Sequence, residues 1–100
     1  MSTDTTSVAA QYLTVGGATV DLTVRISHDH IADEDGQNWA DINHQAACTG
    51  CGAKEDFEDF GTEDTEPARS AATNLTSPNG HAAKRWAQDH AATCRALPRG

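Results

Sequence analysis

The chain is short of most things that hold a small protein together. In 100 residues there are five aromatics, and Leu, Ile, Val and Phe together number 13. Chains with less than about 20% of those four types and a high net charge lean towards disorder, and this one carries −8. Cations are scarce, seven Lys and Arg against 15 Asp and Glu, which disfavours non-specific binding to nucleic acid. No run approaches the ~18 apolar residues of a membrane span, so no membrane association is expected. No Ser/His/Asp set, phosphate loop or paired-carboxylate site stands out, so neither catalysis nor a small-molecule substrate is expected. The opening Met-Ser-Thr-Asp-Thr-Thr-Ser has no basic segment leading into an apolar run, so no secretion signal is expected. Three cysteines without such a signal fit a reducing compartment, and the expected location is cytoplasmic. The length suits one small domain, residues 1–100, and a core this thin calls for a staple.

The staple is legible. Cys48 and Cys51 stand in a Cys-Thr-Gly-Cys-Gly turn, with Gly50 and Gly52 permitting the tight turn. His90 and Cys94 are one helical turn apart, so both project from one face. The four make a C-x2-C-x38-H-x3-C set. Zn²⁺ is held tetrahedrally by four such ligands at about 2.0–2.3 Å, so one structural zinc on Cys48, Cys51, His90 and Cys94 is the expected cofactor. A redox Cys-x-x-Cys needs a thioredoxin-like βαβ context, which does not surround Cys48. A disulfide leaves an odd third cysteine, and a three-Cys, one-His iron–sulfur cluster is the less common chemistry. His44, four before Cys48, is the candidate to replace His90.

Along the chain, residues 7–26 read as a β-hairpin about Gly16-Gly17. A two-residue turn pairs Val15 with Ala18 and Leu13 with Val20. Leu13, Val15, Ala18, Val20, Leu22, Val24 and Ile26 then share one face. His28 and His30 read as solvated residues at the strand end, and Asp33 to Gly36 as an acidic turn. Residues 39–60 read as the knuckle with short strands. Ala40, Ile42, His44, Ala46 and Cys48 alternate with Trp39, Asp41, Asn43, Gln45 and Ala47 before it, as a short strand or alternatively a helical turn, and Phe57 or Phe60 turns into the core after it. Residues 61–78 form an acidic spacer with room for a short helix after Pro67. Residues 79–97 read as a helix, capped by Ser77 or Asn79 and stopped by Pro98. Ala82, Ala83, Trp86, His90, Cys94 and Leu97 share one face of it. The fold class is therefore α+β: a zinc-stapled domain with an N-terminal hairpin, a knuckle, and a C-terminal helix on the metal site.

With its Cys48-Thr49-Gly50-Cys51 turn and its Trp86-Ala87-Gln88-Asp89-His90-Ala91-Ala92-Thr93-Cys94-Arg95 helix, the chain resembles small CCHC zinc-finger-like proteins of actinobacteria and their phages. The resemblance covers about residues 39–97 and implies zinc on the same four residues. The long spacer and the hairpin depart from the simplest pattern. The expected function is a non-enzymatic, zinc-stabilised module that meets a protein partner through the hairpin edge or the acidic surface. A phage accessory or virion component, located in the host cytoplasm or the virion, is one form of it. The alternative is a nucleic-acid-binding zinc finger using Lys84, Arg85, Arg95 and Arg99 on the basic face of the last helix.

Overall fold

A computed structural model describes residues 5–29 and 39–97. His30, the turn from Asp33 to Gly36, Pro98 and Arg99 lie outside the described residues. The elements follow as β1 (Thr5–Leu13), β2 (Thr19–Asp29), β3 (Trp39–Cys48), β4 (Lys54–Glu63), α1 (Glu66–Thr73) and α2 (Pro78–Thr93). The strands form one antiparallel sheet in the order β1-β2-β3-β4, giving the expected α+β class. β3 and β4 run ten residues each, longer than the short strands expected. No helix among the described residues is long and apolar enough to cross a membrane.

Period-two alternation decides which face is covered. Val20, Leu22, Val24 and Ile26 of β2 are buried, as are Ala40, Ile42, His44, Ala46 and Cys48 of β3. The sheet thus supplies the branched side chains. The helices answer with small ones: Ala72 from α1, and Ala83, Ala87 and Ala91 from α2. This stripe lies beside the face read from the sequence, where Trp86, His90 and Cys94 are half-buried. Phe57 packs against the core, whereas Phe60 is 75% exposed.

The hairpin register differs from the expected one by a residue. Tyr12 pairs with Val20 and Leu13 with Thr19, because the loop has three residues rather than two. Thr14 N–H donates to the Ala18 carbonyl at 2.9 Å, and the Thr14 Oγ1 accepts from Ala18 N–H at 3.0 Å. Gly17 N–H closes a turn onto the Thr14 carbonyl, and Gly17 takes φ +90°. A type I turn followed by a left-handed glycine is the favoured three-residue connection. One residue of slip sends a side chain to the other face, so Leu13 and Val15 are exposed while the β2 residues keep their buried face.

Both helices start on a side-chain cap. Thr65 accepts from Ala68 N–H at 3.2 Å and Ser77 from Gly80 N–H at 3.1 Å. α1 ends with Leu75 at φ +60°, where Thr76 N–H reaches the Ala71 carbonyl and Leu75 N–H the Ala72 carbonyl. This double closure normally uses glycine. The left-handed turn costs about 1–2 kcal/mol for another residue, and burying the Leu75 side chain returns about 1.5–3 kcal/mol.

α2 stops at Thr93, short of the expected Leu97. Cys94 is its cap, extended at φ −75°, ψ 120°, and Leu97 is 76% exposed rather than on the buried face. The chain leaves the helix because the next residues run between two glycines. A Cβ on Gly16 would stand 2.5 Å from Arg95 and Ala96 backbone atoms, and one on Gly50 would stand 2.9 Å from the Ala96 carbonyl oxygen. Gly50 thus admits this segment, a purpose different from the tight turn read in the sequence. Gly52 is the residue of the turn with positive φ. Gly16→Ala is expected to cost about 1–3 kcal/mol as overpacking against backbone, read as a lowered midpoint in urea; Phe60→Ser, at an exposed position, is the unaffected control.

Candidate metal centre

Three turns of chain meet at one end of the sheet. The β3–β4 turn is tied down by Cys48 N–H to the Ala53 carbonyl at 2.8 Å and Gly52 N–H to the Cys48 carbonyl at 3.1 Å. Thr49 anchors it to β2: its N–H and Oγ1 both reach the Thr19 carbonyl, and Thr19 N–H returns to the Thr49 Oγ1 at 3.0 Å. The β1–β2 loop meets α2 through Val15 N–H to the Ala91 carbonyl and Gly16 N–H to the Cys94 carbonyl, both 3.1 Å. α2 itself delivers His90 and Cys94, whose N–H closes the helix on the His90 carbonyl at 2.8 Å.

The result brings Cys48, Cys51, His90 and Cys94 together with their donor atoms all within 4.8 Å of one another. The Cys48 and Cys94 sulfurs are 3.8 Å apart, and Cys51 Sγ is 3.2 Å from His90 Nε2. A tetrahedron with arms of about 2.0–2.3 Å has edges of about 3.3–3.8 Å, so the spacing suits one ion at the centre. The four residues are positioned to hold a metal ion. Cys48 is buried and Cys51 exposed, so the site opens on the Cys51 side. Trp86, one turn before His90, stacks on its ring at 4.9 Å between centroids and 5° between planes. That contact holds the plane of the imidazole, whose Nε2 faces Cys51.

The protons follow the same geometry. Burial opposes ionisation of Cys48 most, but N–H groups of Cys51 and Gly50, with side-chain bonds from His90 and Cys51, together bring its thiol from 9.0 down to about 6. At Cys94 an N–H from Ala96 favours the thiolate, yet burial and the neighbouring Cys48 and Cys51 outweigh it and push the thiol up.

His44 is not part of the cluster. It is fully buried, and its Nε2 donates to the Ala72 carbonyl at 3.0 Å, covering the exposed end of α1. Strand alternation, which points His44 and Cys48 to the same face four residues apart, made it a candidate. The intervening 13 Å or so of strand is what separates them. Sequence reasoning missed the loop Thr14 to Ala18 as a wall of the site, and no metal-ligand spacing could have signalled it.

Comparison of the chain with protein-family models, curated proteins and solved structures finds no match.

His44→Ala is expected to retain the metal while losing about 1–3 kcal/mol of stability, because it removes a buried hydrogen bond and leaves a void in the core. Cys94→Ser is expected to lose the metal. Metal analysis beside a urea melt separates the two, and metal loss in the His44 variant alone overturns the assignment. Acidification should also release the metal. A cysteine whose folded pKa is depressed contributes stability fully above its unfolded value of 9.0, and that contribution is lost as pH falls through about 6. Ligation requires the thiolate, so metal held at neutral pH and progressively released on acidification is expected with a chromogenic chelator, at a pH below the value for the metal-free thiol because the metal competes with the proton.

Proposed function

We propose that the chain is a non-enzymatic, zinc-stabilised module that serves by presenting surfaces to a protein partner. The observation that carries the zinc reading is the convergence of three sulfurs and one imidazole within 4.8 Å of one another, with the Cys48–Cys94 and Cys51–His90 pairs near the edge length of a tetrahedron. That donor set and geometry suit Zn²⁺. Four protein donors fill the tetrahedron and leave no position for the water that a catalytic zinc keeps, which supports a structural role. Structural zinc in small folds contributes on the order of 10 kcal/mol at neutral pH, enough to offset a core built largely on alanine.

The interaction reading rests on the sheet. Its far face and the β4 edge are acidic, with Glu55, Asp56, Glu58, Asp59 and Glu63 on β4 alone, and Asn43 and Gln45 donate to Asp56 there. Phosphate contacts supply most non-specific nucleic-acid affinity, and each needs a Lys or Arg. Lys84, Arg85 and Arg95 stand near Asp89 in a chain of net charge −8, so a protein is the better partner. A virion or accessory role in a phage belongs to this same proposal.

Elemental analysis of protein purified without added metal is expected to give one zinc per chain, with three free thiols after denaturation in chelator. A folded, metal-free protein carrying a Cys48–Cys51 disulfide sinks the proposal. In a mobility-shift titration at about 0.15 M salt, no shift of duplex DNA is expected. Binding that weakens steeply with salt and is lost in a Lys84→Ala/Arg85→Ala double variant favours the nucleic-acid alternative instead.

A further inference from the structure

The two edges of the sheet differ in one respect that bears on partners. Exposed edges invite another strand, and proteins protect them with charge and bulges. β4 carries six charged residues in ten and breaks its ladder at Gly61, which sits at φ +68° with its N–H on Asp41. β1 has none, and residues 5–20 hold no charged side chain at all in a chain with 22 of them in every hundred residues. The apolar exposure collects there too. Val8 is 61% exposed, Leu13 75% and Val15 59%, and Leu97 at 76% follows the segment that crosses Gly16. Beside this edge runs a shallow groove, with Tyr12, Leu13 and Val15 on one wall and Gln88, Ala91 and Ala92 of α2 on the other.

We propose that β1 is a self-association edge, onto which β1 of a second copy of this chain adds antiparallel about a two-fold axis, joining two sheets into one of eight strands. Charge selects the occupant. A cationic partner is drawn to β4 and the acidic face, whereas two copies of an acidic chain can approach only where neither carries charge. An antiparallel strand pair has the two-fold symmetry of a closed dimer. The pleat restricts the register, because opposed residues must share a face. The bulge between Val8 and Ala10 confines straight pairing to Ala10–Leu13. A register centred on Gln11 sets Tyr12 of each copy opposite Ala10 of the other on the helix side, large against small. The added strand lies about 4.8 Å outside β1, so its helix-side residues cover the groove. Three residues of straight pairing, Ala10 to Tyr12, with the Leu13 and Val15 flank make less than the ~800 Å² per partner of a standard interface, so weak, micromolar association is expected. Repulsion between two acidic chains is screened within about 10 Å at 0.1 M salt and about 3 Å at 1 M, so association strengthens with salt.

This names the partner in the reading above and rests on its interaction half, independently of the metal. The test is sedimentation equilibrium of the full chain from about 5 to 500 µM, at low and high salt, with zinc measured on the same samples. Expected are a monomer–dimer equilibrium that tightens with salt, roughly tenfold or greater weakening in Leu13→Lys/Val15→Lys, and no change in Phe60→Lys on the opposite edge. A zinc-loaded monomer at every concentration overturns the self-association proposal and leaves the zinc module standing; a metal-free, unfolded chain overturns the zinc module instead. A dimer weakened by Phe60→Lys but not by the β1 variant, or one dispersed by reductant alone, also overturns it.

Discussion

Arg95 and Ala96 pass between Gly16 and Gly50 with no space for a Cβ on either side, and much of the rest of the molecule depends on that passage. It requires Cys94 to leave the helix extended, and the extended Cys94 is what carries its sulfur to 3.8 Å from Cys48. It also presents the Cys94 carbonyl to Gly16 N–H. The hairpin loop, the knuckle and the helix end therefore hold each other through backbone as well as through ligands. A backbone contact of this kind tolerates no displacement without loss of the N–H···O bonds that satisfy the loop.

The alanine content takes on a reason in the same frame. Ala83, Ala87 and Ala91 let α2 settle closely on a sheet of Val, Leu and Ile, which is the approach needed to bring His90 and Cys94 over the knuckle. Larger residues on that stripe would fill more apolar volume but lift the helix from the sulfurs. The fold thus exchanges hydrophobic burial, about 25 cal/mol per Å², for close approach at one end.

The sequence showed most of what concerns chemistry and less of what concerns chain geometry. The four residues that the fold brings together were readable because C-x2-C and H-x3-C spacings are local consequences of a turn and a helix. The buried faces of β2 and β3 were readable from alternation. The hairpin loop was not, because Gly16-Gly17 suits a two-residue turn as well as a three-residue one, and only the Thr14 hydroxyl bond to Ala18 and the contacts to α2 decide between them. The helix end was missed for a similar reason: Pro98 is a local stop, whereas the stop at Cys94 is imposed by distant residues. His44 stayed open as a replacement for His90 because a histidine on a core strand has no visible partner in the sequence until the Ala72 carbonyl is placed against it.

The opposed titration of Cys48 and Cys94 states the remaining constraint in electrostatic form. N–H groups of the knuckle are aimed at Cys48 and hold it as a thiolate, while that thiolate raises its neighbour. Donors alone thus stabilise one negative sulfur and resist a second. Three sulfurs within 4.8 Å of one another and of an imidazole would, as thiolates, need a compact positive charge among them. A bound dication would supply it by replacing protons, its attraction for each sulfur offsetting the repulsion between them. Cys48, whose thiolate the knuckle N–H groups already favour, would hold such an ion together with Cys51, His90 and Cys94, and the ion would offset the cost of ionising Cys94.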